Sequence, residues 1–425
     1  MKVLVIGSGG REHALVHGIA ASPCVDSVVA APGSDAIAER ATCHPEVSAT
    51  DLEAVVGLAR REAPDLVVVG PEDPLAAGLA DRLREAGIAV FGPSAAAARL
   101  EASKAFAKEF MARHGIPTAA FRVFDDLERA RAHVRELGGP CVVKADGLAA
   151  GKGVVVCDDP AQAEAALQEI MGARRFGAAG DRVVIEERLA GTEASYYAIC
   201  DGERFVPLAA AQDHKRARDG DRGENTGGMG AFSPTPRVDP VTEKRVLEEI
   251  VAPTVAGMAA EGRPFTGVLF VGLMIDDAGA PRVVEFNVRF GDPETQAIVV
   301  RLESDLVPLL EAAARGDLGG RRPPELADAS VCVVLASGGY PRGYETGLPI
   351  SGLEEAESVP GTVVFHAGTR RGEDGVYRTA GGRVLGVTAR GATLREARER
   401  AYRAAGCIHF EGMHHRRDIG AGLDR

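Results

Sequence analysis

Val283-Val-Glu285-Phe-Asn287-Val-Arg289-Phe290 alternates polar and apolar residues, so an extended chain places Glu285, Asn287 and Arg289 on one face. A carboxylate, a carboxamide oxygen and a guanidinium in that row suit Mg²⁺ held between protein and phosphate oxygens. The arginine would neutralise an anionic intermediate. A half-exposed strand also alternates, but it rarely places Asn in its middle. Asp292 follows within Asp292-Pro293-Glu294, a sequence that fits an N-cap, an N1 proline and an acidic first turn. A structural and a chemical role therefore stand side by side for it.

Lys144-Ala-Asp-Gly147-Leu-Ala-Ala-Gly151-Lys152-Gly153 looks like a Walker loop but is one residue too short. Glycine follows Lys152 where Ser or Thr should stand, and a strand follows where a helix should. Strand, glycine loop and strand describe a hairpin whose tip covers phosphates, with a compact ammonium at each end. An exposed tip with a solvated lysine is the plain alternative. Glu186-Glu187-Arg188-Leu189 ends another strand. Backbone groups at such an edge can hold an adenine, and the Glu193 carboxylate can accept ribose hydroxyls.

Gly7-Ser-Gly9-Gly10 follows a strand and opens a helix, so its amides could hold a phosphate. The third glycine of a dinucleotide fingerprint is missing at Glu12. The second strand ends in Ala30-Ala31-Pro32-Gly33, with no acid for a ribose diol. A phosphate site that binds no nicotinamide is favoured over a turn without ligand. Gly70-Pro71-Glu72, at the same sheet edge, reads equally as a turn or as a contact to a polar ligand.

The elements that must position these residues follow two periods. Apolar runs at 3–6, 25–31, 66–69 and 88–91 separate amphipathic stretches near 11–21, 51–62 and 74–86, the pattern of a parallel sheet covered by helices. A Thr50–Glu53 capping box starts the second helix. Residues 94–114 predict one longer helix closed by Gly115. A hairpin spans 141–156, a helix starts at Pro160, and strands fall at 182–187, 194–200 and 204–210. Residues 211–236 predict a polar connection without periodicity, of a length that is usually functional. Helix 240–260 leads to strands 266–275 and 282–287, and the last hundred residues form a small α/β unit. The fold class is α/β. Its parts are an N-terminal parallel-sheet domain at 1–102, a central domain at 103–320 with a lid at about 120–190, and a C-terminal α/β domain at 325–425.

The 425 residues carry 49 Lys+Arg against 61 Asp+Glu, a net charge of −12. That excludes nucleic acid or an anionic membrane as the main partner through bulk charge. Only seven cations are lysine and 42 are arginine. Lys104, Lys144, Lys152 and Lys215 fall in chemically suggestive segments. Lys2, Lys108 and Lys244 read as a strand start and two helix faces. Seven scattered cysteines without a C-x-x-C pair fit a reducing, cytoplasmic setting. The start at Lys2-Val-Leu-Val-Ile6 is too short for a signal peptide, and no apolar run reaches membrane-spanning length.

With these motifs in order, the chain resembles the ATP-grasp enzymes and, among them, the phosphoribosylamine–glycine ligase family. The resemblance runs nearly end to end. It rests on the segments at 5–13, 70–72, 103–104, 144–153 and 212–215, and further on those at 225–230, 285–294, 366–369 and 381–385. It implies an ATP-grasp fold and ligation of glycine to 5-phosphoribosylamine through glycyl phosphate. ATP would become ADP and phosphate, with Mg²⁺ or Mn²⁺ bound. Lys104 and Lys144 would contact the nucleotide phosphates beneath the loop of Gly147, Gly151, Lys152 and Gly153. Glu186, Glu187 and Leu189 would hold adenine, and Glu193 the ribose. Glu285 and Asn287 would ligate the metal. Arg289 would sit at the transferring phosphate, with Lys144 and Asp292 beside it in the chemistry. Gly9, Gly10, Glu72, Asp213, Lys215, Asn225, Thr226, Gly227 and Arg289 would hold the substrates. A monomer or weak dimer is expected. Many ATP-grasp enzymes place a further acid on the strand preceding Glu-x-Asn, but that strand here reads Val271-Gly-Leu-Met-Ile275, so Asp276 is not expected as a ligand. His366 and Arg383 reach the pocket or merely occupy Gly-bounded strands.

Overall fold

Val3, Leu4, Val5 and Ile6 are fully buried, as a strand covered on both faces requires. They belong to a five-stranded parallel sheet in a computed structural model that describes residues 1–148 and 153–422. Its strands are β1 (Lys2–Gly7), β2 (Ser27–Pro32), β3 (Thr42–Cys43), β4 (Leu66–Val69) and β5 (Val90–Phe91), in the order β3-β2-β1-β4-β5. Three helix expectations need correction. Asp51, rather than Thr50, caps Leu52–Glu62, its carboxylate accepting from the Ala54 amide. The helix expected near 74–86 is two, Glu72–Ala76 and Leu79–Glu85, parted at Gly78, whose φ of +92° favours glycine.

The third correction matters for the site. The expected 94–114 helix breaks at Ser103 into Ala95–Ala102 and Lys104–Arg113. Ser103 is extended, and its hydroxyl accepts from the Phe106 amide while donating to Asp146 Oδ1 at 2.9 Å. The same oxygen accepts from the Ala105 amide at 3.0 Å. A carboxylate 43 residues downstream thus caps the new helix and puts Lys104 at its first position.

Strands β6 (Phe121–Phe124), β7 (Cys141–Ala145), β8 (Val154–Cys157) and β9 (Val183–Glu187) form a separate antiparallel sheet in the order β6-β9-β7-β8. Helices Leu127–Leu137 and Pro160–Leu167 pack on it, around a core of Val143, Cys157, Leu167, Ile170 and Ile185. The expected hairpin is the β7–β8 pair, with Lys144 opposite Val154.

The main sheet takes β10 (Thr192–Asp201) and β11 (Phe205–Asp213). Residues 211–236 are more structured than their composition suggested. They hold a hairpin of β12 (Arg216–Arg218) and β13 (Arg222–Asn225), then β14 (Gly230–Ser233). Strands β15 (Thr266–Ile275) and β16 (Pro281–Asn287) follow. The C-terminal strands are β17 (Ala329–Ala336), β18 (Thr362–His366), β19 (Thr369–Arg371), β20 (Tyr377–Thr379) and β21 (Arg383–Gly391). One eight-stranded sheet runs β16-β15-β10-β11-β14-β17-β21-β18. The C-terminal unit therefore continues the central sheet, joined through β14.

Two local features aim the polar face of β16. Glu285 opposes Gly272 and Val283 opposes Leu273, so Val284 is an extra, bulged residue. Moreover, β16 ends at Asn287, and Arg289 lies in the bend beyond it rather than on the strand. The helix after it starts at Glu294, with Pro293 in the cap position and no side chain capping. Asp292 is thus not the cap that its sequence context suggested. Among the described residues, no helix is long and apolar enough to cross a membrane.

Candidate active site

Arg289 is the hub of the β16 end. Its Nε donates to Glu72 Oε2 at 3.0 Å, and Nη2 donates to Asn287 Oδ1 at 3.2 Å. Nη2 also lies 3.1 Å from Glu101 Oε1, whose other oxygen accepts from the Val288 amide at 2.8 Å. Burial works against the guanidinium charge, but Glu101, Glu72 and Glu294 outweigh it and hold the pKa above its ordinary value. Glu101 had no signal in the sequence, since it reads as one more acid on a helix.

Glu285 faces a ring of cations. Lys215 Nζ lies 3.6 Å from its Oε1 and 3.2 Å from Glu193 Oε2. Burial tends to raise the Glu285 carboxyl, yet Lys215, Lys144, Lys104 and Arg289 hold it down at about 2. Asp213 goes the other way: desolvation and the nearby Glu294, Glu193 and Glu285 raise it against Lys215. Asp276, by contrast, spends one carboxylate oxygen on the Ala278 and Ala280 amides of its turn, as its place in the sequence suggested.

The lysines converge from separate elements. Lys104 Nζ donates to the Gly147 carbonyl at 2.7 Å, at the mouth of the glycine loop. Gly147 packs so tightly that an added Cβ would lie 2.5 Å from Ala179 Cβ. Lys144 Nζ donates to the carbonyl of bulged Val284 at 3.0 Å and lies 3.0 Å from Glu186 Oε1. The other Glu186 oxygen is 3.0 Å from Lys108 Nζ. Lys108 is therefore no solvated helix face: it is 2% exposed. Burial lowers its pKa to about 8, with Glu186 opposing the shift. One signal was readable, because Lys108 stands four residues after Lys104 and so on the same helix face. The Glu187 carboxylate accepts from the Ala120 amide and from Arg282 of β16. Leu189 follows β9 half-buried, and the Gly153 carbonyl accepts from the Ala145 amide where the β7–β8 hairpin meets its loop. Gly151 and Lys152 lie outside the described residues.

The N-terminal glycines meet an internal carboxylate. The Gly9 amide donates to Glu12 Oε2 at 2.7 Å, and Glu12 is held by Arg11 at 2.5 Å. A Cβ at Gly70 would lie 2.1 Å from Glu12 Oε1, so Glu12 fills the space between the two glycine turns. The third fingerprint glycine is thus replaced by a side chain that occupies the Gly9 donor itself. A phosphate there would have to displace it.

Asp292 instead looks across at the C-terminal strands. Its Oδ2 lies 3.2 Å from Arg383 Nη2, and its Oδ1 accepts from Gln296 at 2.8 Å. A Cβ on Gly10 would come within 3.8 Å of it. Burial pushes this carboxyl up, and Arg383 and Arg11 more than reverse that. Arg383 Nη1 also donates to the carbonyls of Gly227 and Asp292, each at 2.6 Å. Thr226 Oγ1 donates to the Lys215 carbonyl at 2.9 Å, and Asn225 ends β13 opposite Arg216. Arg383 reaches the site. His366 does not carry a side-chain contact to it: its amide donates to His13 Nδ1, and its own Nδ1 pairs with Thr369.

Among the described residues, no group of three or more His, Cys, Asp or Glu side chains could hold a metal by itself. Glu285 and Asn287 offer two hard oxygen donors on one strand, with the Glu285 carboxyl held below the usual carboxylate range by the neighbouring cations. That set fits Mg²⁺, which keeps water or phosphate oxygens in its remaining positions. The arrangement is one able to bind a polyanion beside a divalent cation.

Residues 1–101, 102–295 and 330–422 match the N, ATP-grasp (A) and C domains of phosphoribosylglycinamide synthetase, respectively. The phosphoribosylamine–glycine ligase of Vibrio cholerae is 53% identical over 421 residues, 99% of this chain and 98% of that one. That of Escherichia coli is 52% identical over the same shares. The crystal structure of the Thermotoga maritima phosphoribosylamine–glycine ligase aligns with a TM-score of 0.86 and 36% identity, over 99% of this chain and 100% of that one. A biotin carboxylase domain from Hydrogenobacter thermophilus, solved with MgADP, shares the fold at 18% identity and a TM-score of 0.75, over 97% and 91% of the two chains. By sequence and by fold alike, the chain belongs to the phosphoribosylglycinamide synthetase family of ATP-grasp ligases.

Proposed function

We propose that the chain ligates glycine to 5-phosphoribosylamine, converting ATP to ADP and phosphate and forming glycinamide ribonucleotide for purine biosynthesis. Family membership at 53% identity over nearly the whole chain supports the reaction. The observation that carries the site is the convergence of cations on the end of β16. Lys215 lies 3.6 Å from Glu285, and Lys144 donates to the neighbouring Val284 carbonyl. Lys104 and Arg289 also help to hold the Glu285 carboxyl down. An acidic protein keeps such a concentration of charge for a polyphosphate.

In this reading a glycine carboxylate oxygen attacks the γ-phosphorus, and the bond to the β-phosphate oxygen breaks to release ADP. The ribosylamine nitrogen then attacks the glycyl phosphate carbonyl, loses a proton, and expels phosphate. Lys104 and Lys144 bind the nucleotide phosphates under the loop that includes Gly147, Gly151, Lys152 and Gly153. Glu186, Glu187 and Leu189 line the adenine edge, and Glu193 takes the ribose. Arg289, fixed by Glu72, Glu101 and Asn287, faces the charge that develops on the transferring phosphoryl group. Glu285 and Asn287 hold Mg²⁺ or Mn²⁺, which when bound screens the triphosphate.

Asp213, Lys215 and Asn225 to Gly227 hold the two acceptors, together with Glu72, Gly9 and Gly10. Asp292 and Arg383 close that side. The division of labour follows the domains: 1–102 for phosphoribosylamine, 103–320 for ATP with 120–190 as its lid, and 325–425 as the wall of the substrate pocket. A lid suits an acyl phosphate, which water destroys. The protein is placed in the cytoplasm as a monomer or weak dimer, and its free cysteines support the compartment.

ADP release, followed with ATP, glycine and freshly generated phosphoribosylamine and with each omitted in turn, tests the reading. Sustained release should need all three. Sustained release without phosphoribosylamine, or none with all three present, contradicts it.

A further inference from the structure

A lysine is almost never fully buried without a partner. Lys108, on the helix Lys104–Arg113, has two. Its Nζ donates to Thr118 Oγ1 at 2.6 Å and lies 3.0 Å from Glu186 Oε2. The Thr118 hydroxyl in turn donates to the Val283 carbonyl at 2.6 Å. The other oxygen of Glu186, a residue 3% exposed, lies 3.0 Å from Nζ of Lys144, also 3% exposed. A Lys–Glu–Lys row thus joins the helix, β9 and β7, and both lysines reach carbonyls or hydroxyls anchored on β16.

The charge count gives the row a purpose. Glu186 with Lys144 alone would be a neutral buried pair, whose field at a neighbouring phosphate is weak. With Lys108 on the far oxygen, the carboxylate is shared and the row keeps one net positive charge. One Lys144 donor direction is spent on the Val284 carbonyl, while Glu186 Oε1 lies 3.0 Å away without accepting a hydrogen bond, so β16 anchors the ammonium.

We infer that Lys108 is a positioning residue for ATP: it takes the far oxygen of Glu186, so that Lys144 presents an uncompensated, oriented ammonium to the nucleotide phosphates. This rests on the reading that Lys144 contacts those phosphates. Lys108 itself touches no substrate.

The test uses Lys108→Met, Lys144→Met, Glu186→Gln and the double variant Lys108→Met/Glu186→Gln in the full chain, with KM for ATP, KM for glycine and Tm measured on each. Lys108→Met should raise KM for ATP roughly tenfold or more, the scale of one charge-assisted hydrogen bond, and leave KM for glycine unchanged. Adding Glu186→Gln should restore part of the ATP affinity, because no carboxylate is left to cancel Lys144. A role in folding alone predicts the reverse, a double variant worse than either single one. An unchanged KM for ATP in folded Lys108→Met, or a double variant no better than Lys108→Met, overturns the inference. Should Lys108→Met not fold, Thr118→Val removes the anchor and keeps the charge: it should raise KM for ATP more mildly, and no rise overturns the inference. Lys144→Met separates the two layers. If it leaves KM for ATP untouched, the nucleotide assignment itself fails and the inference with it. If it raises KM while Lys108→Met does not, only the inference fails.

Discussion

Arg289 and Glu72 meet at 3.0 Å although 217 residues separate them. The pair ties the end of β4, in the N-terminal sheet, to the end of β16 in the main sheet. The guanidinium is therefore oriented from both domains at once, and Glu101 and Asn287 complete its setting. Such a charge is preorganised: it does not have to be collected from solvent when the transition state forms.

Glu72→Gln should loosen that setting while conserving shape. Loss of one charge-assisted hydrogen bond amounts to about 1.5–3 kcal/mol, so kcat should fall roughly 10- to 100-fold. Steady-state kinetics beside a thermal melt checks this. Unchanged kcat in a folded variant contradicts the role given to the pair.

Glu285→Gln removes the only charge among the two proposed metal donors. Turnover at a fixed Mg²⁺ concentration should fall by roughly 10²-fold or more, and added Mg²⁺ should recover part of it. A Mg²⁺ titration of activity decides. A wild-type rate at the same Mg²⁺ concentration removes Glu285 from metal binding.

Arg383→Ala would remove the ion pair to Asp292 and the side-chain hydrogen bond to the Gly227 carbonyl. KM for glycine and for phosphoribosylamine should rise roughly tenfold or more, the scale of a lost buried charge pair, while KM for ATP stays constant. A selective rise in KM for ATP would mean that the C-terminal strands serve the nucleotide side instead.

His13 gives a pH prediction with a definite sign. Burial, and then the charges of His366, His17 and Arg40, push its pKa from 6.5 down to about 3, and its Nδ1 accepts from the His366 amide at 2.9 Å. Below 6.5 the unfolded chain takes up a proton that the folded chain refuses. The contribution is thus fully present above 6.5 and is lost as pH falls towards 3. His13→Asn keeps an acceptor and cannot titrate. Urea unfolding between pH 6.5 and about 4 should therefore show a shallower pH dependence than wild type. An identical slope contradicts the assignment.

The local patterns were legible and the long-range ones were not. Period two showed the polar face of β16, and strand-glycine-strand showed the β7–β8 hairpin, because both follow from neighbouring residues. The break at Ser103 was invisible: good helix formers flank it, and the carboxylate that makes it, Asp146, comes from another element. The bulge at Val284 is set by pairing with β15, and no local signal announces it. Of the two readings open for Asp292, capping fails although Asp-Pro-Glu is a sound capping pattern, because Arg383 and Gln296 claim the side chain. Lys108 read as a surface residue because its partner, Glu186, lies 78 residues further along the chain.

The most direct test of glycyl phosphate formation uses glycine labelled with ¹⁸O in its carboxylate. If that carboxylate attacks the γ-phosphorus and phosphate is later expelled from the carbonyl carbon, one labelled oxygen passes to inorganic phosphate per turnover. Mass spectrometry of the phosphate should find that single label, matched to glycinamide ribonucleotide formed. Unlabelled phosphate, with product forming at the same rate, would contradict the account.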